Sequence, residues 1–302
     1  MVMVHCCVAL MAYNEEGNIG RLLEALCTQR LERVTIDEIV VVASGCTDRT
    51  EEIVRQFCAR DFRVKLLVQR QREGKASAVN FLLRNTTSEV VVLQSADTLP
   101  AADTIENLVT PFEDPQVGMT GGHPVPTNDP HTFMGYVAHL LWRLHHRISL
   151  RRPKMGELIA FRNIFRQIPY DSAVDEASIE PLILGQGLKL RYVPEAVVYN
   201  HGPETISDFF KQRRRIYAGH LYVKDTLGYK VSTMSGWRIL LFFLQEWEWD
   251  WRYFLWGPAA IVLEACARLR GIYDYKVWKR KPFIWAVAET TKELAEVPQH
   301  SL

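Results

Sequence analysis

Residues 89–100 read EVVVLQSADTLP. Positions 90–93 form a short apolar run of mostly β-branched residues, the pattern of a buried strand. The run stops at Gln94 and Ser95, so Asp97 falls just past the strand's carboxyl end. Open α/β sheets bind ligands at that edge. A carboxylate there suits a hard divalent cation, Mn²⁺ or Mg²⁺, and the cation suits a diphosphate. The competing reading is that Asp97 and Thr98 only shape a turn, or cap a helix that begins near Ala101.

Working back from this stretch, residues 5–11, 39–42 and 64–68 repeat the pattern of an apolar strand. Each is followed by small or polar residues. After the first come Ala12, Tyr13 and Asn14 to Asn18, then a helix with Ile19, Leu22, Leu23 and Leu26 at helical spacing and Asn18 as its expected cap. After the second comes the loop 43–48, where Asp48 and Glu51 have the spacing of a capping box for a helix over 50–60. The third leads to Glu73-Gly74-Lys75 and a short helix over 77–83. Strand, loop and helix in repetition predict an α/β fold with a mostly parallel, Rossmann-like central sheet and helices on both faces. The loops then converge on one edge.

Composition narrows the class. A chain of 302 residues buries a sizeable core, and a net charge of +1 argues against a nucleic-acid partner. Cys6, Cys7, Cys27, Cys46, Cys58 and Cys266 form no CxxC pair and read as reduced thiols, which points to a cytoplasmic protein. The apolar start over 1–12 lacks a basic region before it and reads as a first strand rather than a signal peptide.

Four stretches in this half carry a resemblance. MAYNEEGNIGRLLEAL, VVVASGCTDRT, EGKASAVN and QSADT stand in the order of the motifs of family 2 glycosyltransferases, whose fold is GT-A. QSADT lies where that family has its metal-binding Asp-x-Asp. Here Ser95 replaces the first carboxylate, and Ala43-Ser44 replaces the acidic pair before the second loop. The resemblance implies a donor site formed by Ala12, Tyr13, Glu15, Ser44, Asp48, Lys75, Ser95, Ala96 and Asp97, with Asp97 on the metal. Without it, Glu15 reads as a solvated turn residue, Asp48 as a helix cap and Lys75 as a solvated loop lysine.

The second half continues the likeness. Residues 117–121 and 192–200 read as strands, and 156–162 as a strand returning to the site. Over 136–152 a helix is expected, with Val137, Leu140, Leu141, Leu144 and Ile148 on one face and Arg143, His145, His146 and Arg147 largely off it. Residues 174–180, VDEASIE, resemble the family's Thr-Glu-Asp-x-x-Leu segment with the acids exchanged. That makes Glu176 the expected catalytic base, Asp175 the alternate and Glu180 a support. An acidic first helical turn is the plain alternative. His201 is a candidate metal ligand by position. Gln212 and Arg215 match Gln-x-x-Arg-Trp with Ile216 in place of Trp, and would hold the acceptor or the diphosphate.

The boundary suggested by composition separates residues 1–235, the catalytic domain, from 236–302, a helical, aromatic-rich extension. The chain has 8 Trp, and Trp237, Trp247, Trp249, Trp251 and Trp256 all fall early in this extension. Its apolar runs are too short to span a bilayer. With the basic stretch 276–281 they fit an interfacial anchor, and equally well packing on the catalytic domain or a homo-oligomer contact. The expected activity is inverting transfer of a sugar from a nucleoside-diphosphate donor, UDP favoured, to a sugar or lipid-linked acceptor hydroxyl. A nucleotidyltransferase would need a glycine-rich, lysine-bearing loop after the first strand, which 13–18 does not supply. A non-catalytic, membrane-docked scaffold is the rival from another class, favoured by Ser95, Ala43 and Ile216.

Overall fold

The computed structural model describes residues 3–170, 174–245 and 250–278. The sheet is assembled on β1 (Val4–Ala12), whose residues alternate between two cores as strand geometry requires. Cys6, Val8, Leu10 and Ala12 face one core, where α1 (Ile19–Cys27) and α4 (Thr104–Val109) bring Leu22, Leu23, Leu26, Ile105 and Leu108. Cys7 and Ala9 face the other, where α3 (Lys75–Leu83) and α6 (Asp175–Leu184) bring Val79, Leu82, Ile179 and Ile183. Each fully buried Leu or Ile contributes about 2 kcal/mol.

β2 (Val34–Ser44), β3 (Val64–Gln69) and β4 (Val90–Ser95) extend the sheet, each pairing in parallel with its neighbour in the order β3-β2-β1-β4. This half matches the parallel sheet expected from the strand–loop–helix repeat. The other half does not. β7 (Leu158–Arg162) runs antiparallel to both β4 and β6 (Val117–Pro126). β8 (Lys189–Asn200) runs parallel to β6 and antiparallel to β5 (Thr98–Pro100). The full order, β3-β2-β1-β4-β7-β6-β8-β5, is therefore a mixed eight-stranded sheet. β5 has only three residues and no periodicity to betray it, and strand direction is not written in an apolar pattern.

Several local expectations change. Asn18 makes no side-chain cap; its Nδ2 donates instead to Glu15 Oε2 at 3.2 Å. The capping box does not form, because Asp48 Oδ1 accepts from Thr50 N at 3.0 Å, while Glu51 pairs with Arg55 one turn on. The helix expected near Ala101 starts at Thr104, since β5 uses the residues before it. α5 (Phe133–Arg151) has the predicted apolar face, but His145 is buried and His146 Nδ1 lies 2.8 Å from the Tyr192 hydroxyl, so the other face is not a plain solvated basic one.

α2 (Thr50–Cys58) covers β3, while α7 (Ile206–Leu227), α8 (Gly236–Gln245) and α9 (Trp251–Lys276) form a helical layer with α5. Val137, Leu140 and Phe209 share a core with Phe243, Tyr253 and Ala260, so the C-terminal helices pack on the body of the chain. Ion pairs fasten α9 to α7. Arg213 donates to both oxygens of Glu264 at 2.8 and 2.6 Å, and Arg214 Nε donates to Asp274 at 2.6 Å. Arg268 adds a second cation to Glu264 at 2.8 Å. Trp247, Trp249 and the basic residues from Lys279 onward lie outside the described residues. Among those described, no helix is long and apolar enough to cross a membrane.

Burial alone would raise the Glu264 carboxyl, but Arg213 and Arg268 outweigh it and hold it down to about 2. A carboxyl so depressed stabilises the fold fully above its ordinary value of 4.5, and that contribution is lost as the pH falls toward 2. Glu264→Ala leaves two largely buried guanidinium groups without their partner and should cost about 3 kcal/mol in urea unfolding at neutral pH. The difference between wild type and variant should shrink as the buffer is acidified below about 4.5.

Candidate active site

The carboxyl ends of β1, β2 and β4 open onto one cavity of about 410 Å³. Ala12 and Tyr13 line it after β1, Ser44 at the end of β2, and Ser95, Ala96 and Asp97 at the end of β4. Gly74 has φ 92°, a conformation that disfavours any side chain, and this turn sets Lys75 in the wall as the first residue of α3. Arg72, which precedes it, stacks on the Tyr13 ring at 4.1 Å. Glu15 completes this side.

The antiparallel half supplies the facing wall. The β4–β7 ladder pairs Gln94 with Leu158, so Ser95 comes opposite Glu157. Ser95 N donates to the Glu157 carbonyl at 3.3 Å, and Ser95 Oγ donates to Glu157 Oε2 at 3.1 Å. Burial raises the Asp97 carboxyl, helped by the charge of Glu15; Lys75 and Arg215 oppose the shift. Burial raises Glu157 as well, helped by the charge of Asp97.

The N-terminus of α6 brings the acidic pair. Asp175 is buried and takes an ion pair from Lys75 Nζ at 3.0 Å, which ties α3 to α6 across the cavity. Burial works against a charged Lys75, but Asp175 and Glu176 outweigh it and hold its ammonium above the usual range. Glu176 faces the cavity. Burial and then Asp175 push its carboxyl up to about 8, against the pull of Lys75 and Lys154. Glu180 is structural: Oε1 accepts from Met155 N at 3.1 Å and Oε2 from the Tyr229 hydroxyl at 2.5 Å. From α7, Gln212 and Arg215 line the cavity, and Arg215 Nε has no hydrogen-bond partner among the described residues.

Two expected site residues are absent from the wall. Asp48 is consumed locally: Oδ2 accepts from Glu16 N at 3.0 Å and Oδ1 from Thr50 Oγ1 at 2.6 Å. It locks the first loop to the second. His201 has both ring nitrogens engaged, Nδ1 with Thr127 Oγ1 at 3.1 Å and Nε2 with Glu204 at 3.0 Å. Its neighbours Asn200, Gly202 and Pro203 line the cavity instead. Residues that sequence reasoning passed over are Glu157, Asn200, Arg72 and Lys154. Glu157 stands in the stretch read as a strand returning to the site, but only the ladder register shows that it meets Ser95.

The sequence profile described as Glycosyl transferase family 2 matches residues 7–175, more than half of the chain. A poly-beta-1,6-N-acetyl-D-glucosamine synthase of Staphylococcus aureus (strain MSSA476) is 24% identical over 250 residues, covering 78% of this chain and 58% of that protein. The chain thus spans under three fifths of that relative's length. Glycosyltransferase AglE of Haloferax volcanii is 27% identical over 116 residues, 38% of each chain. Among solved structures, a mannosyltransferase from Pyrobaculum calidifontis in complex with GDP-Man and Mn²⁺ matches at a TM-score of 0.62 and 23% identity, covering 87% of this chain and 86% of that one. Glucosyl-3-phosphoglycerate synthase of Mycobacterium tuberculosis, in complex with Mn²⁺, UDP and glucosyl-3-phosphoglycerate, matches at 0.52 and 19%, covering 72% and 79%. These likenesses show the fold, which is GT-A.

In the free protein, a protonated carboxyl should be detectable by infrared difference spectroscopy and should titrate near a pH of about 8. Glu176→Gln should remove that signal. Lys75→Met, which deletes a cation favouring the ionised form, should move it to still higher pH.

Proposed function

The chain belongs to glycosyl transferase family 2, and we propose that its cavity moves a sugar, with inversion, from a nucleoside diphosphate to an acceptor hydroxyl. The observation that carries this reading is the meeting in one cavity of Asp97, Lys75 and Arg215 with the carboxylate of Glu176. Ala12, Ser44, Glu15 and the Tyr13 ring, backed by Arg72, form the surface for base and ribose. Lys75 and Arg215 face the charge of the diphosphate. Glu176 in its ionised form takes the proton of the attacking hydroxyl at its carboxylate oxygen, and Lys75 and Lys154 favour that form. Gln212 orients the acceptor or the phosphate.

Asp97 fits a divalent metal, being a hard oxygen donor half-buried in the wall of the cavity. His201 does not fit, because its ring nitrogens are spoken for by Thr127 and Glu204. Among the described residues no three His, Cys, Asp or Glu side chains form a cage, so oxygens of the donor diphosphate would complete the coordination. When bound, the cation supplies neutralisation of the leaving diphosphate. Mn²⁺ and Mg²⁺ are both suitable, and UDP is the favoured carrier.

The acceptor, on this reading, is presented at a lipid surface. Trp237, Trp251 and Leu255 are 68%, 63% and 64% exposed on α8 and the start of α9. Arg151 stacks on Phe242 at 4.8 Å, so the basic end of α5 adjoins them. Exposed aromatic and basic groups together suit peripheral attachment to an anionic interface.

Calorimetric titration with UDP, GDP, CDP and dTDP, each with and without Mn²⁺, tests the donor site. Metal-dependent binding of one of them is expected, and binding of none overturns the reading. Asp97→Asn and Glu176→Gln should each lower turnover by at least about 100-fold while the melting temperature holds. The chain should also co-sediment with anionic but not neutral vesicles, and Trp251→Ser with Leu255→Ser should weaken that association.

A further inference from the structure

Glu157 has a place in the cavity that the fold has taken some trouble to define. Its backbone carbonyl and its carboxylate both accept from Ser95, two residues before Asp97. Asp97 and Glu157 line the same cavity, and among the described residues neither forms a direct ion pair, although the charges of Lys75 and Arg215 act on both. Asn200 is the last residue of β8. The β5–β8 ladder sets it opposite Thr98, the residue after Asp97. Asn200 lines the same cavity, is only 7% exposed, and its Oδ1 is buried with no hydrogen-bond partner among the described residues. A buried carbonyl oxygen left without a donor is costly, so its position calls for something electropositive in the cavity.

We propose that Glu157 and Asn200 Oδ1 are cation ligands, which with Asp97 make a three-oxygen site for Mn²⁺ or Mg²⁺. The proposal rests on the donor site described under the proposed function and names the residues that hold its metal. Two carboxylates and a carboxamide oxygen are hard donors, suited to these ions rather than to a soft one. Ser95 is a positioning residue: its hydroxyl fixes the Glu157 carboxylate. Where the resemblance to Asp-x-Asp puts a first carboxylate, this chain has a serine that holds a carboxylate supplied by the adjoining strand. Asn200, and not His201 beside it, contributes from β8.

The test is Mn²⁺ binding, read by electron paramagnetic resonance on the full chain with the nucleoside diphosphate that calorimetry selects. Glu157→Gln should weaken Mn²⁺ binding by more than about tenfold, and Asn200→Ala by a smaller factor. The double variant Ser95→Asp with Glu157→Gln returns a carboxylate to the same spot, and should recover most of the lost affinity. A purely structural role for Glu157 would not be rescued in this way. A second measurement needs no variant: Mn²⁺ should broaden the carboxyl carbon signal of Glu157 in glutamate-labelled wild type. Unchanged Mn²⁺ affinity in Glu157→Gln, or an unbroadened Glu157 signal, overturns the proposal and leaves the donor site standing. Nucleotide binding by wild type that ignores metal overturns the cation site altogether.

Discussion

The antiparallel ladder between β4 and β7 is the constraint on which the site depends. β4 closes the parallel half of the sheet, and β7 opens the mixed half. Their register puts Glu157 against Ser95 and the start of β7 beside the loop that bears Asp97. Reversing one strand at the middle of a sheet brings a loop from the second half of the chain to the carboxyl edge of the first. A wholly parallel sheet would have sent the residues before β7 to the opposite edge.

Charge then joins what the sheet brings near. Asp175 is buried and Asp97, Glu157 and Glu176 are half-buried, so each carboxylate is unfavourable in isolation. Lys75 answers one of them directly through Asp175, and its position at the start of α3 links that helix to the one that carries Glu176. Its positive charge also keeps Glu176 from rising further than about 8. The same lysine therefore serves geometry and proton affinity. The remaining pair, Asp97 and Glu157, feel the charges of Lys75 and Arg215 without a direct ion pair among the described residues, and burial still raises both.

The C-terminal helices contribute to the same cavity. Arg213 and Arg214 pair with Glu264 and Asp274 on α9, and Arg213 lines the cavity together with Arg215. Three consecutive arginines on one helix point in different directions, and their surroundings give them different work. Glu264 and Arg268 of α9 are themselves in the cavity wall, so the helical layer closes one side of it.

Much of this was legible along the chain. The apolar runs at β1, β2, β3 and β4 and the spacing of Ile19, Leu22, Leu23 and Leu26 follow from local periodicity, which a sequence displays directly. The acidic pair at the start of α6, and Gln212 with Arg215, are marked by the resemblance to family motifs, and both sets line the cavity. What periodicity does not carry is partner choice between distant segments. Strand direction, the three-residue β5, the engagement of His201 by Thr127 and Glu204, and the local hydrogen bonds that consume Asp48 all depend on residues far away or on competing donors nearby. The sequence by itself determined the parallel half of the sheet and the residue types available at its edge. Only the tertiary structure decided that Glu157 and Asn200 share a wall with Asp97, because that requires the register of two antiparallel ladders, and register is settled by packing rather than by any local run.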